Sequence, residues 1–250
     1  LPEFVPVSSS GHLIIVRDLL GITVPNPLAF DVFLHVATLM AVIIYFRRDI
    51  ARVMRTIVLW GARRTVARSD ALLSGALVLG TLPAAVIGFF FSRQIDLVVR
   101  QPIVVVGALG VGSVLFWVAE RFGRRQGELS VRNGFVIGLF QVLAFIPGMS
   151  RSGATISGGL LCGMTRREAA RFSFLLSIPI LLGSGVFTYV SVDGAGMSLF
   201  GLDVAVGALA AFVVALISIH VLLRVLTTHS LIPFALYRVS LAIILILLLF

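Results

Sequence analysis

The sequence contains no lysine and little charge of any kind. Charged residues make up 12% of its 250 residues, whereas a soluble domain carries about 25%. Hydrophobic residues make up 59%, and several apolar runs approach or exceed the ~20 residues that cross a bilayer as a helix. Most of these runs lack the polar stripe that a soluble helix turns toward water. The chain is therefore predicted to be an all-α polytopic membrane protein with a single integral membrane domain over residues 1–250.

Cysteine is nearly absent too. Cys162 is the single cysteine of the chain, which excludes an internal disulfide, and no Cys/His cluster suggests zinc. The net charge of +9 does not indicate nucleic-acid binding, because most arginines lie in short loops between apolar runs. Segments 47–70, 120–132 and 166–171 carry seven, four and three arginines. Arginine in such loops predicts the cytoplasmic side.

Six apolar runs predict transmembrane helices. They cover about 29–46, 72–92, 102–119, 173–191, 203–223 and 234–250. Two further apolar stretches, 1–25 and 133–165, are broken by proline, glycine and serine. Irregular backbone at membrane depth is tolerated only where it is buried in protein or lines a cavity, so both stretches are predicted to be re-entrant helical hairpins. The segment 47–64 predicts an amphipathic helix on the inner membrane surface.

The two broken stretches resemble each other. "EFVPVSSSGH" at Glu3–His12 aligns with "AFIPGMSRSGAT" at Ala144–Thr155, with one residue inserted. The alternation of the six predicted spans, with the arginine-rich loops inside, predicts that one hairpin enters the membrane from outside and the other from inside. The alignment therefore predicts an inverted-topology repeat with halves 1–131 and 132–250. Such repeats place binding sites near the midplane, where broken helices meet. The two motifs are therefore expected to face each other.

The second motif predicts an anion site. Arg151 is the only charged residue between Arg132 and Arg166, and a charge at bilayer depth costs about 2.5–3.5 kcal/mol. A helix N-terminus near Gly153 and a guanidinium fork both suit phosphate oxygens. The hydroxyls offered beside them belong to Ser150, Ser152 and Thr155. The alternative is that Arg151 only pairs with a structural carboxylate such as Glu3 or Asp31.

The first motif predicts catalytic chemistry. Glu3, together with hydroxyls and phosphate oxygens, would form a hard oxygen site for Mg²⁺ or Ca²⁺. His12 could move a proton near neutral pH. Ser9 is a candidate nucleophile because it lies three residues from His12, on one helical turn. The alternative for each serine is a helix N-cap, which is favoured for Ser10. His35 is a weaker candidate for the cavity lining.

These motifs, with "FDVFLHVATLMAVIIYFRRDI" from Phe30 and "TISGGLLCGMTRREAARFSFLLSIPILLG" from Thr155, resemble the undecaprenyl-diphosphatase, or bacitracin-resistance, family. The likeness covers nearly the whole chain. It implies a membrane hydrolase that converts undecaprenyl diphosphate to undecaprenyl phosphate and recycles this carrier for cell-wall synthesis. It also implies a divalent cation, a place in the cytoplasmic membrane, and an active site that lies between two re-entrant hairpins and opens to the outer face.

The resemblance implies roles for individual residues. Glu3, Ser9, His12 and Arg151 take catalytic roles, and Glu3 is the metal ligand. Ser8 matches a hydroxyl of the family's first motif, and Ser150, Arg151 and Thr155 match its phosphate-binding second motif. Ser152 and Gly153 complete the expected diphosphate-binding set on the anion-site chemistry described above. The family's first motif usually carries another glutamate four residues before Glu3, and that position precedes Leu1. We therefore expect either that residues are missing before Leu1 or that this glutamate is absent. In the second case, metal binding would no longer be expected.

A different class of protein also fits the pattern. Inverted repeats with broken helices are typical of transporters, so the same cavity could carry a phosphate-bearing lipid or solute, as a transporter or flippase, without cleaving it. Phosphate release from a prenyl diphosphate separates the two functions. The sequence leaves the oligomeric state open, including a homodimer.

Overall fold

The computed structural model describes residues 3–9, 12, 27–99, 102–124, 127–191 and 202–249, and these parts of the chain contain nine α-helices and no strand. The helices are α1 (Pro27–Tyr45), α2 (Arg47–Gly61), α3 (Arg68–Val99), α4 (Pro102–Phe122), α5 (Val131–Val142), α6 (Arg151–Leu161), α7 (Arg166–Ser191), α8 (Leu202–Thr228) and α9 (Ile232–Leu249). A short 3₁₀ turn, Leu143–Phe145, extends α5. The all-α prediction is confirmed for these residues.

Within the described parts of the chain, four helices are long and apolar enough to cross a bilayer. Their candidate spans are Arg68–Phe90, Ile103–Phe122, Arg166–Val186 and Val204–Thr228. Large apolar side chains on these and neighbouring helices point outward, among them Phe89 at 72% and Leu247 at 77% exposure. A soluble monomer rarely exposes contiguous apolar surface on this scale. The fold is therefore that of a polytopic membrane protein, as predicted.

Each of the six predicted apolar runs lies on a helix, namely α1, α3, α4, α7, α8 and α9. The helices extend beyond the runs; α3, for example, begins at Arg68 rather than near residue 72. Hydrophobicity marks only the part of a helix that contacts apolar surroundings, whereas the backbone hydrogen bonds continue into the charged segments. The predicted amphipathic helix after residue 47 is also present, as α2.

The stretch 133–165 folds as two helices joined by a turn. Ser130 caps α5 by accepting a hydrogen bond from Asn133 N at 3.1 Å. After the 3₁₀ turn, Pro147 cannot donate a backbone hydrogen bond, and Gly148 adopts φ +97°, a conformation that glycine reaches without steric cost. The chain then reverses into α6. Of the other stretch, 1–25, only residues 3–9 and 12 are described, so the rest of the hairpin predicted there lies outside the described residues.

Two groups of ion pairs tie the helices together at their Arg-rich ends. Glu120 of α4 accepts bonds from Arg166 Nε at 2.9 Å and Nη2 at 2.7 Å, and its Oε1 also accepts from Leu231 N at 2.8 Å. Asp49 of α2 bonds to Arg171 of α7 at 2.5 and 3.0 Å, and to Arg52 on its own helix. Burial opposes ionisation of Asp49, but the bond and charge of Arg171, followed by those of Arg52, outweigh it and hold the pKa below its ordinary value.

Candidate active site

The two polar motifs meet in one cavity of about 230 Å³. Its polar lining consists of Glu3, Ser9, His35, Gln141, Ser150 and Arg151. The remaining wall is apolar and comes from α3, the 3₁₀ turn and α7, with residues such as Ala84, Phe145 and Ile180. Prolines at 83 and 179 interrupt the hydrogen bonding of α3 and α7 one residue before lining positions. The site is thus a small polar hollow inside an apolar helical protein.

Glu3 connects the two motifs. Its Oε1 accepts a hydrogen bond from Arg151 Nη2 at 3.0 Å, and its Oε2 accepts one from Ser9 Oγ at 3.1 Å. The pair is largely withdrawn from solvent, with side-chain exposures of 13% for Arg151 and 20% for Glu3. Each charge offsets the cost of burying the other. The ion pair between Arg151 and Glu3 is one of the carboxylate pairings that the sequence left open as an alternative role for Arg151.

That pairing leaves part of the guanidinium unused. Arg151 Nη1 is buried and has no hydrogen-bond partner among the described residues. The side-chain amide of Gln141 is also buried, at 2% exposure. Neither its Oε1 nor its Nε2 has a hydrogen-bond partner among the described residues. A buried polar group without a partner costs about 1–3 kcal/mol. Both residues line the cavity, so a bound anion could satisfy these donors.

Gln141 was missed by the sequence analysis. It lies on α5, ten residues before Arg151, in the apolar run "GLFQVLAFIPG". The available signal was the amide itself, because a polar side chain at membrane depth marks a candidate functional site. Gln141 therefore joins Arg151 as a group able to contact an anion in the cavity.

Two serines hold unusual backbone conformations at the site. Ser8 has φ +69° and Ser150 has φ +68°, in the region that glycine normally occupies. Such a conformation costs about 1–3 kcal/mol in a non-glycine residue and occurs preferentially at functional sites. Ser150 is also the N-cap of α6, where its Oγ accepts from Gly153 N at 3.2 Å. The strained turn places Ser150 and Arg151 on the cavity wall.

A buried arginine outside both motifs holds that turn. Arg238 of α9 is 0% exposed, and it donates to Met149 O at 3.0 Å and to Gly148 O at 2.9 Å. It also reaches the α4 carbonyls of Ala108 at 3.1 Å and Leu109 at 3.4 Å. Its guanidinium carbon lies 5.0 Å from the centre of the Phe116 ring. Arg238 is not predicted as a site residue from the sequence, and it acts here as a positioning residue behind Ser150.

Other predicted residues of the second motif lie behind the turn and are not among the cavity-lining residues. Thr155 is buried, donates to Arg151 O at 2.8 Å and contacts Ser173 Oγ at 2.6 Å. Ser152 is buried with its Oγ 3.3 Å from Ser150 Oγ. Gly153 faces the Phe116 ring so closely that a side chain there would collide with it. These residues shape the turn, and Ser150 and Arg151 are the members of the motif that line the cavity.

The imidazole of His12 interacts with α9. Its Nδ1 lies 2.7 Å from Ser8 O, and its Nε2 lies 2.6 Å from Tyr237 Oη. Because a carbonyl oxygen can only accept, Nδ1 carries the hydrogen, and in the neutral ring Nε2 accepts from the tyrosine hydroxyl. The two rings are stacked with centroids 5.7 Å apart. Ser9, which was expected to meet His12, instead directs its hydroxyl to Glu3.

The family model described as Bacitracin resistance protein BacA matches residues 1–244. The chain belongs to this family.

Curated relatives agree with the family match over nearly their whole length. The undecaprenyl-diphosphatase of Alteromonas mediterranea is 39% identical over 242 residues, covering 96% of this chain and 90% of that protein. That of Chromohalobacter salexigens is 41% identical over 250 residues, covering 98% and 93%. That of Rubrobacter xylanophilus is 42% identical over 248 residues, covering 97% and 91%. The resemblance to the bacitracin-resistance family is confirmed.

The divalent cation implied by the BacA-family resemblance can be tested against the donors present. Among the described residues no group of three His, Cys, Asp or Glu side chains could enclose a metal. The cavity does offer the Glu3 carboxylate and the unpartnered amide oxygen of Gln141. Mg²⁺ is commonly held by one or two carboxylates together with waters and substrate phosphate oxygens. The donor set therefore fits a cation shared with a phosphate substrate rather than one enclosed by protein alone.

Proposed function

We propose that this protein hydrolyses undecaprenyl diphosphate to undecaprenyl phosphate in the cytoplasmic membrane and so recycles the lipid carrier for cell-wall synthesis. One observation carries the proposal: Ser9, Glu3 and Arg151 are hydrogen-bonded in series across the two motifs of a BacA-family chain. The curated relatives described above are named undecaprenyl-diphosphatase. A hydroxyl, a carboxylate and a guanidinium on one cavity wall can supply a nucleophile, a base and a charge-stabilising group for phosphoryl transfer.

The diphosphate binds at the unused donors of the cavity. Arg151 Nη1 and Gln141 Nε2 are buried without a described partner, and Ser150 presents its hydroxyl beside them. Preorganised donors stabilise the charge that develops on the phosphoryl oxygens, since they need no reorganisation during the reaction. The prenyl tail lies along the apolar surfaces of the neighbouring helices, where its burial costs nothing.

Ser9 Oγ attacks the terminal phosphorus, and its proton passes to Glu3, which already accepts the hydrogen bond of that hydroxyl. The bond from the terminal phosphorus to the bridging oxygen breaks, and its electron pair leaves with undecaprenyl phosphate. Water then hydrolyses the phosphoserine and releases inorganic phosphate; alternatively, water takes the place of Ser9 in a single step. When bound by Glu3 and Gln141, Mg²⁺ or Ca²⁺ would neutralise charge on the phosphoryl oxygens.

His12 serves as the second proton-transfer group. Its Nε2 is joined to the Tyr237 hydroxyl, so a proton can move between the imidazole and that hydroxyl. His12 also anchors the first motif to α9. We therefore expect His12→Ala to reduce kcat, and Tyr237→Phe to reduce it less, because the phenylalanine keeps the stacked ring and removes only the hydroxyl.

The proposed architecture comprises six transmembrane helices and two re-entrant hairpins in an inverted repeat. Support comes from the backbone: Ser8 and Ser150 align in the two motifs and share φ of +69° and +68°. The carbonyl of each accepts from the residue four positions later, at 3.3 Å from His12 N and at 2.9 Å from Ala154 N. The helices α1 and α9, of 19 and 18 residues, rise about 27–29 Å, close to the thickness of the bilayer core. With the Arg-rich ends cytoplasmic, we place the active site toward the outer face.

Phosphate release tests the function. Purified protein in detergent is given farnesyl diphosphate and Mg²⁺, and released phosphate is measured for the wild type, Arg151→Gln and Glu3→Gln. We expect each variant to lose at least about 100-fold in kcat, because each removes a charge at the reacting group. Glu168→Gln is the matched control, since Glu168 is exposed and bonds to Thr165. Absence of release from any prenyl diphosphate, combined with counterflow in vesicles, would instead establish a transporter.

The nucleophile needs a separate experiment. Substrate labelled with ³²P on the terminal phosphate is mixed with enzyme and quenched in acid within milliseconds. Label on the protein that is lost in Ser9→Ala identifies phosphoserine. Ser113→Ala is the control, because Ser113 is a buried serine that bonds to Leu109 O at 2.7 Å. If no label is trapped on the protein and solvent attack inverts the configuration at the terminal phosphorus, water is the nucleophile.

A further inference from the structure

A second cavity of about 820 Å³ lies at the Arg-rich ends of α1, α2, α7 and α8. Its lining includes six arginines, which define what we call the basic pocket: Arg47, Arg48, Arg52, Arg167, Arg171 and Arg224. It lies far from the catalytic cavity. His35 lines the catalytic cavity and Tyr45 lines the basic pocket on the same helix, and ten helical residues rise about 15 Å.

The basic pocket has a large excess of positive charge. Asp49 is the one carboxylate among its lining residues, and that carboxylate is already bonded to Arg171 and Arg52. Among the described residues, the side chains of Arg48, Arg167 and Arg224 form no hydrogen bond or ion pair. Several guanidinium groups therefore line one volume, and the described lining residues supply no further carboxylate to neutralise them.

The orientation of the protein in the membrane is by itself a reason for arginines near the inner membrane surface. Orientation does not, however, require six arginines to line one pocket. Arg64 and Arg68 belong to the same Arg-rich segment and lie outside the pocket. The lining also includes the buried Phe46 and the half-buried Leu223, which together we call the apolar floor. A hydrogen bond of 3.3 Å between Tyr45 Oη and His220 Nδ1 joins α1 to α8 at its side. The pocket thus combines charged and apolar side chains in one concavity.

We propose that the basic pocket binds a phosphate group, carried either by an anionic lipid or by free inorganic phosphate. Guanidinium forks match phosphate oxygens in pairs of hydrogen bonds, and the charge excess remains after Asp49 is paired. The apolar floor suits the glycerol and first acyl carbons of a lipid. The inference is independent of the catalytic proposal, because it involves none of the residues of the catalytic cavity.

The test compares two double variants of equal charge. Arg48→Gln with Arg224→Gln alters the pocket, and Arg64→Gln with Arg68→Gln removes two arginines outside it. Native mass spectrometry in detergent measures binding of phosphatidylglycerol against phosphatidylcholine. Equilibrium dialysis measures ³²P-orthophosphate, with Arg151→Gln added to every protein so that the catalytic cavity contributes little and contributes equally to each of them. Hydrolysis of farnesyl diphosphate by the double variants with Arg151 intact should stay within about twofold of wild type, which verifies folding.

Each surface arginine contributes about fivefold to the binding of an anionic headgroup. We therefore expect the pocket variant, which lacks two of them, to bind roughly 25-fold more weakly and the control variant to change little. Loss of phosphatidylglycerol binding with no orthophosphate binding in any protein identifies a lipid headgroup. Loss of orthophosphate binding identifies free phosphate. Equal binding by the pocket and control variants, for both ligands, would overturn the proposal and leave orientation as the role of these arginines.

Discussion

Replacing Arg238 with methionine removes the donor that fixes the turn before Arg151. The wild-type guanidinium gives two bonds to the turn, at 3.0 Å to Met149 O and 2.9 Å to Gly148 O. A hydrogen bond to a charged group contributes about 1.5–3 kcal/mol, so the two amount to about 3–6 kcal/mol. Methionine avoids the cost of burying a charge, which offsets part of this loss. We expect a net loss of about 3 kcal/mol in the free energy of unfolding.

For a protein of this size, 1 kcal/mol shifts Tm by about 2–4 °C, so Arg238→Met should lower the Tm measured in detergent by roughly 6–12 °C. It should also lower kcat, because Ser150 is held in its strained conformation by the turn that Arg238 contacts. Arg238→Lys should recover part of both values, since an ammonium group can reach one turn carbonyl but cannot bridge two helices. This partial rescue separates positioning from a purely structural role.

The matched control is Arg64→Met, which removes an exposed arginine outside both cavities. It should leave Tm within about 1 °C of wild type, as surface substitutions usually do. If Arg238→Met also keeps the wild-type Tm and kcat, the carbonyl bonds do not stabilise the turn and the reasoning fails. If Tm falls while the kcat of the remaining folded enzyme is unchanged, Arg238 supports the fold without positioning Arg151.

Three other predictions follow from the structure. Gln141→Leu should raise KM or lower kcat for a prenyl diphosphate by about 10- to 100-fold. It should also preserve or raise Tm, because it removes a buried amide that has no described partner. A fall in Tm with unchanged kinetics would contradict this prediction. Gly153→Ala should lower Tm by several degrees through its collision with Phe116, which a melting curve in detergent measures, and Phe116→Leu should restore part of the loss. Asp49→Asn tests pH linkage: the pKa of Asp49 is lowered in the fold, so its stabilisation is present above the ordinary pKa of 3.8 and is lost as the pH falls through the folded value. The difference in Tm between wild type and Asp49→Asn should therefore be constant above about pH 5 and shrink below about pH 4, and a difference that grows on acidification would refute the assignment.

The positions of the helices and the isolated charge of Arg151 can be predicted from local sequence. Long apolar runs predict helices wherever they occur, because a backbone without water must satisfy its own hydrogen bonds. The six runs lie on six helices for that reason. Arg151 stands out because an isolated charge in an apolar stretch has few purposes other than binding or pairing. The motif resemblance then identified the family, which the match over residues 1–244 confirms.

The predicted roles of the motif residues depended more on three-dimensional packing. Ser9 and His12 are close in sequence and were expected to interact, yet the hydroxyl of Ser9 meets Glu3 and the imidazole of His12 meets Tyr237. Thr155 was expected to contact phosphate, but its hydroxyl is used by the backbone of its own helix and by Ser173. Spacing along a chain limits which side chains can meet, but it does not decide which partner each one takes.

The sequence by itself determined the class of the protein, the places where its helices form, and the two motifs that carry its chemistry. Tertiary structure alone decided that Gln141 joins the cavity and that Arg238 holds a turn 89 residues away along the chain. It also brought His12 to Tyr237 across 225 residues. The physical reason is that helix formation depends on neighbouring residues, whereas buried hydrogen bonds between distant residues depend on how the completed helices pack.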